Sequence, residues 1–193
     1  MRKTIALLSL VFLLAGCSGS GSSSSQAACK QQYWDGTIGV CLPTNWKVVD
    51  HETLQSRGVP DEVIAAFQTS QVVAGQNPTV TVTKETLQSD LDPVTYSQAS
   101  IRAVASLPAY KMIDTRAVKI GGKNLELHVF SAKPLPEEPE RRFYQLSTTS
   151  KSVGYTLTAL TPLSVSSSLE SEVLTIMRSI TFTDPAEAAA SSK

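Results

Sequence analysis

The chain has 193 residues, 41% of them hydrophobic, and its 17 Lys and Arg are balanced by 17 Asp and Glu. That balance excludes the basic stripe of a nucleic-acid binder. Only three cysteines and two histidines are present, which leaves little material for a metal cluster.

Arg2 and Lys3 precede an apolar run from Ile5 to Ala15. The run is too short for a bilayer-spanning helix, which needs about 20 residues. A basic start, a short apolar core and small residues at its end make a secretory signal. Leu14-Ala15-Gly16-Cys17 resembles the lipobox of bacterial lipoproteins. The resemblance implies that residues 1–16 are removed as a signal peptide and that Cys17 is lipidated; otherwise the chain is secreted and Cys17 incidental. Without Arg2 and Lys3, 15 basic side chains face 17 acidic ones. Residues 17–28, the lipidated cysteine and a Ser/Gly-rich stretch, read as a tether that cannot offset its own ordering entropy. Its flexible part reaches about 17–20 Å.

Residues 29–184 suffice for one domain with a core. Cys29 and Cys41 flank Asp35-Gly36, a turn signal. A three-residue loop, Trp34-Asp35-Gly36, would oppose Tyr33 to Thr37, Gln31 to Gly39 and Cys29 to Cys41. That register predicts a structural disulfide rather than a metal or redox pair. "TIGVCLP" and "WKVV" read as strands, a short helix is expected to begin at Pro60, and "TVTVTKE" from Thr79 alternates as a strand. Asp92 and Pro93 start a helix that stops at Pro108, with Ile101, Val104, Ala105 and Leu107 able to face a core. Tyr110–Ile120 and Lys123–Ala132 read as strands joined by Gly121-Gly122. "RFYQLSTTS" and "GYTLTAL" follow, broken near Lys151–Gly154. Ser167-Ser168-Leu169-Glu170 reads as a capping box, and Leu169, Val173, Ile176, Met177 and Ile180 form one stripe. Residues 185–193 read as a disordered tail. The sum is an α+β domain, an antiparallel sheet covered by helices.

Several phrases resemble the PsbP-like fold and the DcrB-type bacterial lipoproteins that share it. They are "GVCLPTNW" (Gly39–Trp46), "TVTVTKETL" (Thr79–Leu87), "VKIGGKNLEL" (Val118–Leu127), "YTLTAL" (Tyr155–Leu160) and "SITF" (Ser179–Phe182). The resemblance implies a PsbP-like α/β/α sandwich over most of the chain and a non-catalytic role in assembly or in the envelope. It transfers no metal or partner contact to a numbered residue.

No nucleophile elbow, phosphate loop or His-Glu-x-x-His pattern occurs, so no catalytic residue, metal site or cofactor is assigned. His128 reads as a sheet-surface residue and His51 as part of a solvated loop. Two features could bind. "KPLPEEPERR", Lys133–Arg142, reads as a charged, proline-stiffened loop whose Glu137, Glu138, Arg141 and Arg142 either contact a partner or are solvated. Tyr33 and Trp34 are either exposed anchors at the hairpin tip or packed beneath it. The expected function is a non-enzymatic, lipid-anchored envelope protein, bound to the bilayer through acylated Cys17 and to an unknown envelope partner. A carrier of a small apolar ligand and an unrecognised hydrolase are the alternatives.

Overall fold

A computed structural model describes residues 29 and 31–190. The signal peptide, Cys17, the tether up to Ala28 and residues 191–193 lie outside the described residues.

Two short strands, β1 (Gln31–Trp34) and β2 (Gly39–Leu42), form a hairpin. Then follow β3 (Trp46–Val49), α1 (His51–Ser56), β4 (Val63–Thr69), β5 (Thr79–Thr86) and α2 (Pro93–Val104). The second half comprises β6 (Lys111–Ile120), β7 (Lys123–Ala132), β8 (Arg141–Ser150), β9 (Val153–Pro162), α3 (Ser167–Arg178) and α4 (Pro185–Ala190). Strands β3 to β9 build one seven-stranded antiparallel sheet in the order β3-β4-β5-β9-β8-β7-β6.

Alternation along the strands decides the layers. Val80, Val82, Leu125, Leu127, Val129, Tyr144, Leu146, Leu157 and Ala159 are buried on one face. There α3 lays down the expected stripe: Leu169, Val173, Ile176 and Met177 are fully buried. The β1–β2 hairpin completes this layer with Ile38, Val40 and Leu42. Trp46 anchors the start of β3, donating its indole N–H to Glu172 of α3 at 2.9 Å. The opposite face carries Gln145, Ser147 and Thr156 and is covered by α2, whose Ser100 meets Ser147 at 2.8 Å.

Five expectations change. Cys29 and Cys41 are bonded, with Cα atoms 5.4 Å apart, but not as cross-strand partners. Trp34 opposes Gly39 and Gln32 opposes Cys41, because the Asp35 carboxylate accepts the amides of Thr37 and Ile38, both at 2.8 Å, and lengthens the loop. The segment after Pro60 is strand β4, not helix: Ile64, Ala65 and Phe67 serve a strand hydrogen-bonded on both sides, and ladder pairing overrides a helix-like spacing. A short helix lies earlier, at α1, capped by the Asp50 carboxylate on Thr53 N–H at 2.7 Å. The cap of α3 is Ser166, accepting from Leu169 N–H at 3.2 Å. The capping box at Ser167 does not form, because Glu170 turns to Arg116 and Tyr144. In α2, capped by Asp92 as expected, the buried residues are Tyr96 and Ser97; Ile101, Val104 and Leu107 are half-buried and Ala105 is exposed. Pro185–Ala190 is helical where a loose tail is expected, with Asp184 accepting the Ala186 amide at 2.8 Å.

Candidate functional site

The loop between β7 and β8 runs from Lys133 to Glu140 and folds on itself. Lys133 Nζ donates to the Pro136 carbonyl at 3.2 Å, and Glu138 N–H donates to Leu135 O at 3.0 Å. Glu140 ties it to the sheet, accepting from Ser131 Oγ at 2.7 Å and pairing with Lys111 at 3.5 Å. These partners hold the Glu140 carboxyl below its ordinary range, the Ser131 hydrogen bond most of all. Of the four loop residues singled out in the sequence, Glu137 is exposed and Glu138 half-buried. Arg141 and Arg142 belong to β8 instead. Arg141 is only 8% exposed, and Arg142 has a buried Nε without a partner in the structure.

Apolar side chains lie beside this loop. Met112 and Ile113, at the start of edge strand β6, are 66% and 43% exposed, and Leu135 in the loop is 50% exposed. A register shift between Met112 and Asp114 breaks the β6–β7 ladder there. Bulges re-aim side chains, and this one lies at a sheet edge. The corner thus combines three exposed apolar side chains with a charged, proline-rich loop.

Tyr33 and Trp34 part company. Tyr33 packs edge-on against Phe67, ring centroids 5.0 Å apart, and belongs to the core margin. Trp34 is half-buried and lines an open cleft of about 790 Å³ with Tyr155, Phe182, Lys151 and Asp184. Space for its ring comes from Gly39, where a Cβ would sit 3.0 Å from the indole.

The histidines also separate. His51 is exposed at the start of α1. His128 is not on the sheet surface as expected: it is 2% exposed, stacked on Phe130 at 5.2 Å and hydrogen-bonded through Nε2 to the Tyr110 hydroxyl at 2.8 Å. Its face of the sheet lies on the side that α2 covers. Burial pushes the imidazole below its ordinary value, with Glu126 opposing weakly. Among the described residues no group of three or more His, Cys, Asp or Glu side chains could hold a metal ion, and no helix is long and apolar enough to cross a membrane.

No family model matches the chain, and no curated protein matches it in sequence. Solved structures do. LpqN, involved in cell envelope biogenesis of Mycobacterium tuberculosis, superposes with a TM-score of 0.53 at 18% identity, over 80% of this chain and 90% of that one. Cyanobacterial PsbP from Synechocystis sp. PCC 6803 gives 0.52 at 18% identity, over 88% and 99%. The domain has a PsbP-like fold. The protein Mog1, as its E65A mutant, shares the architecture at 0.51 and 11% identity, over 81% and 97%. A PsbP-like scaffold at this level of identity carries no site with it. The two surfaces above therefore stand on their own geometry.

Sequence reasoning missed Met112, Ile113 and Leu135 at the corner, and Lys151, Tyr155, Phe182 and Asp184 in the cleft. One signal was available: consecutive Met112-Ile113 breaks the alternation of a half-buried strand.

Proposed function

We propose that this chain is a lipid-anchored, non-catalytic envelope protein whose PsbP-like domain contacts a protein partner close to the membrane. The corner of β6 and the Lys133–Glu140 loop is the contact surface. The observation that carries this reading is the exposure of Met112 and Ile113 on edge strand β6 and of Leu135 in the loop that the Lys111–Glu140 ion pair ties to that strand. Solvent-facing apolar groups rimmed by charge are the usual form of an interaction site. Export is supported by the Cys29–Cys41 disulfide, since such bonds persist outside the reducing cytoplasm. The structural likeness to LpqN points the same way. Anchoring rests on the lipobox at Cys17; two or more acyl chains hold a protein stably where one does not. A tether of about 17–20 Å then keeps the corner at high effective concentration near membrane partners. The carrier reading receives less support, because the space between α3 and the sheet is filled by Leu169, Val173, Ile176 and Met177.

The test uses the whole anchored chain. Met112→Ser, Leu135→Ser, Glu137→Ser and Glu138→Ser are combined, and proteins crosslinked to it in intact envelopes are quantified against wild type. At least one crosslinked protein should fall several-fold while the melting midpoint holds. An unchanged set removes the corner from consideration. In parallel, Cys17→Ala should leave the chain uncleaved at this site or mislocalised; continued processing and membrane recovery would refute the anchor.

A further inference from the structure

The cleft beside Trp34 is separate from the corner and has a chemistry of its own. We infer that it is a binding site for a neutral carbohydrate, a short chain of pyranose rings.

Its walls come from three parts of the fold: the loop after β1, the turn between β8 and β9, and the segment running from Phe182 to α4. The volume of about 790 Å³ lies in the range of small-molecule sites, roughly 300–1,000 Å³. Aromatic surface is supplied by half-buried Trp34 and Phe182, the latter packed at 5.0 Å on the ring of Tyr155. Tyr155 is only 4% exposed, lines the cleft, and its hydroxyl has no hydrogen-bond partner among the described residues. The ring is buried while the hydroxyl keeps contact with the open cleft, where water or a ligand can satisfy it. Burial, and to a lesser degree Asp35, raises the Tyr155 pKa, so this hydroxyl stays protonated and can donate. The indole N–H of Trp34 likewise has no partner among the described residues, in contrast to that of Trp46, which is taken by Glu172. At the rim, Lys151 supplies a cation, and Asp184 and Glu187 supply carboxylates; one Asp184 oxygen accepts the Ala186 amide at 2.8 Å.

The β8–β9 turn sets where Lys151 stands. Lys151 and Ser152 both occupy the left-handed region, at φ 49° and 56°. The neighbouring β6–β7 turn has the same handedness but uses Gly121 and Gly122, at φ 54° and 80°. Left-handed backbone costs a non-glycine residue about 1–2 kcal/mol. A two-residue loop between paired Ser150 and Val153 favours this handedness at both positions, and it holds the Lys151 side chain at the rim of the cleft.

Taken together, these groups select among ligand classes. A phosphate or other anion would meet the Asp184 carboxylate, and a quaternary ammonium would meet Lys151. A fatty chain would leave Tyr155 and Trp34 N–H unsatisfied. A pyranose has apolar C–H faces to lie on Trp34 and Phe182. Its ring of hydroxyls can donate to Asp184 and accept from Tyr155, Trp34 and Lys151.

The two tryptophans make the test direct, because Trp46 is fully buried and Trp34 is in the cleft. The full chain in detergent is titrated with maltotriose, cellotriose and chitotriose, followed by tryptophan fluorescence and calorimetry. At least one should give a saturable change with a millimolar or tighter Kd. Tyr155→Phe should weaken it several-fold and Trp34→Ala at least tenfold by calorimetry. Lys151→Gln, a surface change that leaves the core intact, should also weaken it. Absence of a saturable response to all three sugars would overturn the inference. So would binding unchanged in Tyr155→Phe and Lys151→Gln, or saturable binding only of inorganic phosphate, choline or decanoate in the same titration.

Discussion

His128 holds an imidazole between Phe130 and the Tyr110 hydroxyl, on a sheet face that the sequence marks as solvent-facing. The neutral ring suits that environment, and a proton does not, because burial disfavours the charged form. The folded-state pKa is therefore below its ordinary value of about 6.5, while the unfolded chain titrates near that value. Between the two values the unfolded state binds more protons, so stability rises with pH across that window. It is fully present above about pH 6.5 and is lost as pH falls toward the folded pKa. Glu140 and Asp114 are also held below their ordinary range by their partners, so their contributions disappear only at more acid pH. The wild-type melting midpoint should decline from pH 7 to pH 5.5. In His128→Gln, which retains polar groups toward Tyr110 but cannot titrate, that slope should be largely gone. An equal decline in both proteins would place the acid sensitivity elsewhere.

At the scale of elements, α2 docks on a face made of hydroxyls and amides rather than aliphatic groups. Ser100 meets Ser147 at 2.8 Å, and Ser147 meets Thr156 at 2.9 Å. Ser97 Oγ and Gln145 Oε1 are buried without partners in the structure. Such a layer depends on fit, and the fit is tightest where Tyr96 lies over Gly154. A Cβ on Gly154 would stand 2.5 Å from the Tyr96 ring and hydroxyl. Tyr96 is itself buried, with its pKa pushed up to about 12 chiefly by that burial, so its ring has little room to yield. Gly154→Ala should cost about 1–3 kcal/mol, the usual range for overpacking, and should raise amide exchange in α2 before α3. Equal protection of both helices would show that α2 does not depend on this contact. The same layer explains which elements were legible. The stripe of α3 and the Gly121-Gly122 hairpin are local patterns, written within a dozen residues. Strand β4 was not legible, because its identity comes from β3 and β5 on either side. Tyr155, Phe182, Lys151 and Asp184 meet Trp34 across more than 100 positions of sequence, so no local pattern marks the cleft.

At the scale of the whole molecule, the β1–β2 hairpin is outside the seven-stranded sheet yet seals one layer of it. It is held by two backbone hydrogen bonds between Gly39 and Thr181, both 2.9 Å, and by Cys41 N–H donating to Ser179 Oγ at 2.8 Å. Ile38, Val40 and Leu42 are buried beneath it. The Cys29–Cys41 bond closes this hairpin, across a sequence separation of 12, just where the tether would enter the domain. In the chain-entropy account a loop of that size stabilises the fold by about 3 kcal/mol. For a domain of this length such a loss lowers the melting midpoint by roughly 6–12 °C. The double variant Cys29→Ser and Cys41→Ser should therefore melt lower by that amount but still fold, because the aliphatic contacts of β2 remain. Trp46 fluorescence, reporting the core at the start of β3, should be unchanged at 25 °C, while Trp34 becomes more accessible to a soluble quencher. If the variant melts with the wild type and Trp34 is no more accessible, the hairpin is held by its buried residues alone and the disulfide adds nothing to the architecture.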